Sequence, residues 1–177
     1  MEKVQIKRVT LSDIDQLQKI SRQTFEETFS ATNTEENMKK YLDDSFSLQK
    51  LTFELNNSNS LFYFAILDNS IIGYLKLNFG ESQTELKNKE ALEIERIYVL
   101  NEYHGKNVGK SLYEKAIEVA TQRNILYVWL GVWLENTRAI KFYKKNGFVD
   151  FDRHIFKLGD DEQTDIMMKL YLKDTIL

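Results

Sequence analysis

A chain of 177 residues with 42% hydrophobic and 29% charged residues carries enough apolar material for one packed core and too little length for two, so a single domain over residues 1–177 is expected. The formal net charge of −3 argues against a basic nucleic-acid binder, and the lack of cysteine excludes disulfides, thiolate zinc sites and a cysteine nucleophile. The opening stretch is charged at Glu2, Lys3, Lys7 and Arg8 and no run reaches signal-peptide or membrane-spanning length, which points to a cytoplasmic protein with no membrane partner.

Val4 and Ile6 alternate with polar neighbours as a short strand, and Thr10-Leu11-Ser12-Asp13 offers a capping-box start to a helix. Ile14, Leu17, Ser21, Phe25 and Phe29 then recur at three- and four-residue spacing. A second helix is expected around Met38, Tyr41 and Leu42, and a third around Leu48, Leu51 and Leu55, both facing a core. After the polar loop 56–60, the aromatic and β-branched stretches 61–67 and 71–79 flank Asp68-Asn69-Ser70 and read as a β-hairpin.

Residues 91–100 form the next expected strand. Strict alternation puts Glu93, Glu95, Ile97 and Val99 on one face and Leu92, Ile94, Arg96 and Tyr98 on the other. Val108, Leu112, Ala116, Val119 and Ala120 mark an amphipathic helix, and the apolar run 125–134 a strand buried on both faces. Asn136 is placed to cap a helix over 137–146 that Gly147 terminates. Strands at 148–158 and 164–172 close the chain around Gly159-Asp160-Asp161. This order predicts a mixed α/β sandwich rather than a doubly wound sheet.

Two segments carry chemistry. The junction 99–112, VLNEYHGKNVGKSL, joins a strand to a helix through a turn containing Gly105 and Gly109. Such a turn offers backbone N–H groups and a helix N-terminus to an anion, with Lys106 and Lys110 as counter-charge. It has neither the full GxGxxG of a dinucleotide fold nor the glycine spacing of a Walker loop. On spacing alone it reads equally well as a helix start with no ligand. The second segment is 136–148, NTRAIKFYKKNGF.

The second segment resembles the NxxAxxFYxxxGF signature of the GNAT superfamily of N-acetyltransferases, and it follows the glycine turn and the strand EIERIYV by about 30 residues. The order of elements agrees from residue 4 to residue 172. Within the superfamily the chain looks similar to the spermidine/spermine acetyltransferases of Bacillus-type bacteria, through LEIERIY, WLGVW, NTRAIKFYKKNGF and LGDDEQTDIMM. One departure stands out: the family's Q/R-x-x-G-x-G/A reads His104-Gly105-Lys106-Asn107-Val108-Gly109 here, with asparagine at the middle glycine.

The resemblance implies the GNAT (acyl-CoA N-acyltransferase) fold, an α/β architecture with a mixed, mostly antiparallel central sheet flanked by helices. It implies acetyl-CoA as co-substrate, lying in a V-shaped opening between strand 91–100 and strand 125–134. Backbone groups of Ile97 and Val99 would pair with the pantetheine, the amides of Gly105, Lys106, Asn107, Val108, Gly109 and Lys110 would hold the pyrophosphate, and Asn136 would contact the pantetheine arm, with Tyr98, His104 and Lys145 as further cofactor-binding residues. Tyr143 would hydrogen-bond or protonate the leaving thiolate. An unperturbed phenol (pKa about 10) and an alkyl thiol (about 8.5) are close enough for proton transfer.

An acceptor alkylammonium, pKa about 10.4, must lose its proton before attack. Glu95 is the first choice as general base and Glu93 the second, with His154 a further residue of the acceptor site. No hydrolase triad is spaced along the chain, and two histidines without cysteine give no expectation of a metal. The expected acceptor is a polyamine, spermidine or spermine, drawn by acidic clusters at Glu26, Glu27, Glu35, Glu36, Asp43 and Asp44 and at Asp160, Asp161, Glu162 and Asp165. A protein N-terminus, a lysine or another small amine remains open as acceptor, as does a non-catalytic acetyl-CoA-binding regulatory module. The protein is expected to be a monomer or homodimer without a direct nucleic-acid partner.

Overall fold

The computed structural model describes residues 3–172; Glu2 of the charged opening lies outside them. Seven strands form one sheet: β1 (Gln5–Arg8), β2 (Ser60–Leu67), β3 (Ser70–Phe79), β4 (Ala91–Val99), β5 (Tyr127–Trp133), β6 (Val149–Leu158) and β7 (Asp161–Tyr171). Their spatial order is β1-β2-β3-β4-β5-β7-β6. Every neighbouring pair is antiparallel except β4 and β5. Those two run parallel and in register only from Ala91↔Tyr127 to Glu93↔Trp129. Beyond that point each strand presents an unpaired backbone edge to the other.

Helices cover both faces of the sheet. The helices α1 (Ile14–Phe29), α2 (Glu35–Ser45) and α3 (Leu48–Asn56) bury Leu17, Phe25, Met38, Leu42 and Leu51 against Phe62, Phe64 and Tyr74. On the other face α4 (Val108–Gln122) and α5 (Thr137–Lys145) pack Val108, Leu112, Ala116 and Tyr143 on Leu75, Leu92 and Ile94. The expected caps form: Asp13 Oδ2 accepts from the Thr10 N–H at 2.9 Å, and Asn136 Oδ1 accepts from the Ala139 N–H at 3.1 Å. Asp68 and Asn69 both take positive φ, 49° and 61°, which matches the right-handed twist of the β2–β3 hairpin.

Four expectations need correction. In α3 the buried positions are Leu51 and Glu54, while Leu48 is exposed. Strand β5 is shorter than 125–134: Leu126 and Leu134 lie just outside it and are exposed, as is Gly131, which stands beyond the point where β4 parts from β5. Strand β7 begins at Asp161, not Thr164: pairing from Leu158↔Asp161 onward overrides the low strand propensity of its acidic start. The fourth correction concerns β4.

Against β3, Lys76 pairs with Arg96 but Leu77 pairs with Ile94, so Glu95 is the extra residue of a β-bulge. A one-residue insertion reverses the facing of everything beyond it. Leu92, Ile94, Ile97 and Val99 therefore pack together in the α4 layer, and Tyr98 packs in the α1–α3 layer. Arg96 lies over the Phe46 ring, 4.9 Å from its centroid. Ile97 and Val99 do not share the face of Glu93 and Glu95.

Close strand packing makes Gly73 irreplaceable. A Cβ there would stand 2.6 Å from the Tyr98 carbonyl oxygen, and neither backbone can yield. Gly73→Ala is expected to destabilise the fold by about 1–3 kcal/mol, read as a lowered urea midpoint with an unchanged slope.

Candidate active site

Where β4 and β5 part, two cavities open on opposite faces of the sheet. One, of about 410 Å³, is bordered by Ile97, Val99, the loop residues 103–105 and 107–110, and the α5 residues Arg138, Ala139, Phe142 and Tyr143. The other, of about 510 Å³, lies under α1 and α2 and includes Glu93, Glu95, Trp129, Trp133, His154 and Asp165 in its wall. Ile97, Asn136, Ala139 and Tyr143 line both. The junction runs through the gap in the sheet.

The smaller cavity is shaped by the start of α4. Asn107 adopts the left-handed conformation, φ 62°, that the middle glycine of the family pattern would supply; asparagine tolerates it better than other side chains. His104 Nε2 lies 2.8 Å from the Val99 carbonyl oxygen and closes the loop onto the end of β4. The first N–H groups of a helix have no intrahelical acceptor, so those of Val108, Gly109 and Lys110 face outward with the positive end of the helix dipole. A Cβ at Gly105 or Gly109 would meet nothing within 4 Å. The space above the loop is thus open to a phosphate-bearing group, and Lys110 and Arg138 border it.

Most residues expected to hold the co-substrate fall here: Ile97, Val99, His104, Gly105, Asn107, Val108, Gly109, Lys110 and Asn136. Three do not. Tyr98 lies on the other face, stacked on Tyr74 at 6.1 Å, and lines the larger cavity. The Lys106 ammonium sits 4.9 Å over the Tyr103 ring, and Lys145 is exposed at the last residue of α5. Tyr103, Arg138 and Phe142 were missed, although Arg138 and Phe142 stand inside the signature segment.

Tyr143 is buried, its ring 5.4 Å from both Phe142 and Phe148. Burial pushes its phenol well above the ordinary value, which favours the neutral phenol. In the larger cavity the two glutamates behave differently. Glu95 is one corner of a closed ring of charges: Lys76 Nζ bridges Glu54 Oε1 (3.0 Å) and Glu95 Oε2 (2.6 Å), and Arg96 bridges Glu54 Oε2 (3.3 Å) and Glu95 Oε1 (3.2 Å). Burial alone would raise its pKa, but Arg96 and Lys76 together hold it down at about 2.

Glu93 lies outside that ring. It is buried, and desolvation pushes its pKa up against the hydrogen bonds that favour its charge. Those bonds come from the Thr84 hydroxyl, the Thr84 N–H at 2.8 Å and Asn78 Nδ2 at 3.1 Å. Asn78 also donates to Glu95, which ties the two carboxylates into one network. The buried polar residues Glu54, Lys76 and Asn78 escaped the sequence reading; Lys76 and Asn78 sit as alternate polar positions within an otherwise apolar strand, and that was their only signal.

The acidic clusters are only partly at the site. Asp43 is engaged by Arg22 at 3.1 Å and Lys39 at 2.6 Å, and Glu27 accepts from the Asn101 N–H at 2.7 Å. No acid between Glu26 and Asp44 lines the cavity; of the second cluster only Asp165 does. The cavity's carboxylates are Glu85, Glu93, Glu95 and Asp165, among the rings of Phe25, Phe29, Tyr41, Phe46, Trp129 and Trp133.

A passage through a sheet with a donor-binding loop on one side and a carboxylate on the other suits an enzyme that joins two substrates across the gap. Residues 14–148 match the model of the Acetyltransferase (GNAT) family, and the chain belongs to that family of acetyl-CoA-dependent acetyltransferases. It is 39% identical over 169 residues to an uncharacterized N-acetyltransferase in the pepI 3'region of Lactobacillus delbrueckii subsp. lactis, covering 96% of this chain and 98% of that one. It is 27% identical over 170 residues to the spermidine N(1)-acetyltransferase of Thermoplasma acidophilum, covering 94% and 96%. The crystal structure of the PaiA N-acetyltransferase from Thermoplasma acidophilum in complex with coenzyme A superposes with a TM-score of 0.78 at 25% identity, covering 97% of this chain and all of the other. Among the described residues no helix is long and apolar enough to cross a membrane.

Proposed function

We propose that this protein transfers the acetyl group of acetyl-CoA to a primary amine of a polyamine, spermidine or spermine, by direct attack, and that residues 1–177 act as one domain in the cytoplasm. One observation carries the reading: Tyr143 stands where a phosphate-ready cavity and a carboxylate-bearing aromatic cavity meet. The 27% identity to a spermidine acetyltransferase over nearly the whole chain supports the choice of acceptor.

Acetyl-CoA supplies the acetyl group as a thioester whose sulfur departs with the bonding electrons. The open N–H groups of 108–110 hold its pyrophosphate, and the open edge of β4 at Ile97 and Val99 takes the pantetheine amides, the Val99 carbonyl being already engaged by His104. The Tyr143 hydroxyl donates a hydrogen bond where the sulfur leaves.

Glu93 takes the acceptor's proton, directly or through one water. It replaces Glu95 as first choice because a carboxylate held at about 2 is too weak a base to draw a proton from an alkylammonium, whereas one raised by burial is better matched. Glu95 instead anchors Lys76 and Arg96 in the ring of charges at the bulge.

The test is release of free CoA by purified protein with spermidine, spermine, putrescine, lysine and a peptide N-terminus. Selectivity for spermidine and spermine is the expected result. Release no faster with polyamines than with no acceptor overturns the reading, and selectivity for lysine or the peptide N-terminus moves it to protein acetylation.

A further inference from the structure

The larger cavity contains a carboxylate that the chemistry above does not use. Asp165 is only 16% exposed and lines the cavity. The His154 ring nitrogen Nε2 stands 3.6 Å from Oδ2, too long for a hydrogen bond. Among the described residues no hydrogen-bond donor reaches this half-buried carboxylate, and Lys157, the lysine of the cavity wall, is engaged with Glu162 at 3.2 Å, so a cationic ligand would offset part of its lost hydration.

The walls around it are aromatic. Phe29 lies 6.1 Å from Trp133 and 6.1 Å from Phe156, and ring faces attract alkylammonium groups. Between the two tryptophans of β5, Gly131 leaves the floor bare; a Cβ there would meet His154 Cε1 at 3.0 Å and Asp165 Oδ2 at 3.4 Å. The glycine keeps the approach to Asp165 clear.

Register gives the spacing. Glu93 is opposite Trp129 and Asp165 is opposite Trp133, alternate positions on the same face, so the two carboxylates are offset by about 13 Å along β5 at roughly 3.3 Å per residue. We propose that Asp165, within the Phe29, Trp133 and Phe156 walls, binds a second ammonium centre of the acceptor, distal to the amine that reacts near Glu93. The inference rests on the polyamine reading and sharpens it: the site selects long acceptors with cationic groups at both ends.

The experiment compares spermidine with octylamine, a monoamine of similar length, in wild type, Asp165→Asn and Asp165→Glu. Loss of a charge-assisted contact is expected to lower the preference for spermidine over octylamine by about ten- to a hundredfold in Asp165→Asn, the loss falling in KM, with Asp165→Glu recovering part of it. A preference that Asp165→Asn leaves intact, or an equal loss for both amines, overturns the assignment. A wild type that acetylates neither amine overturns the polyamine reading instead. Calorimetric titration of spermidine then judges Asp165 separately: weaker binding by Asp165→Asn sustains the site, and equal binding removes it.

Discussion

Tyr143→Phe is expected to lower kcat on the order of a hundredfold or more while leaving binding of coenzyme A, measured by calorimetry, close to that of the wild type. Removing one hydrogen-bond donor aimed at charge that develops in the transition state typically costs a factor of about 10²–10³. Phenylalanine keeps the ring that packs on Phe142 and Phe148, so the substitution removes one hydroxyl from the junction of the two cavities and little else. Because burial raises the phenol far above its ordinary value, the wild type should show no loss of activity from Tyr143 ionisation at any alkaline pH the fold survives. A Tyr143→Phe enzyme with unchanged kcat would remove Tyr143 from the chemistry.

The two halves of the site could be read from the sequence to different depths. The co-substrate side rests on local features: a helix start, a left-handed position filled by Asn107, and the signature segment with Tyr143. Each is set by a few adjacent residues, and the resemblance of the signature segment, rather than spacing alone, gives them a role. The acceptor side depends on contacts between residues far apart in the chain. Nothing in the alternation of 91–99 announces the bulge at Glu95, because a bulge is a property of the pairing with β3 and not of β4 itself.

The same reasoning explains the acidic clusters. Asp43 already has a local partner in Lys39, one helical turn earlier in α2, but its second partner, Arg22, is brought to it by α1 from 21 residues away. Asp165 looks like one of four equivalent acids, but β-strand alternation turns it into the cavity while Asp160 stays in an exposed turn. The preference for Glu95 over Glu93 fails for a related reason. Lys76, which with the adjacent Arg96 quenches Glu95, comes from β3, 19 residues away in the chain.

The base assignment has its own decisive variant. Glu93→Gln is expected to lower kcat/KM for the polyamine by about 10²–10⁴ at neutral pH. The glutamine fits: its oxygen can accept from the Thr84 N–H and Asn78 Nδ2, and its amide can face the Thr84 hydroxyl, which rotates to accept. In the wild type the rate should rise with pH as Glu93 loses its proton through its raised pKa and then level off. Without that carboxylate the rate should keep climbing with the fraction of free amine, toward the ordinary ammonium pKa of about 10.4. Stability supplies an independent readout. A carboxyl whose folded pKa is raised stabilises the fold at pH values below its unfolded pKa, and that contribution disappears as pH rises through the folded value. Glu93→Gln stays neutral, so its urea midpoint should gain on the wild type as pH is raised from the acid side to neutrality. A variant that loses activity with no change in the shape of the pH profile would show Glu93 to be a structural member of the Asn78 network, and the base would have to be sought elsewhere in the cavity.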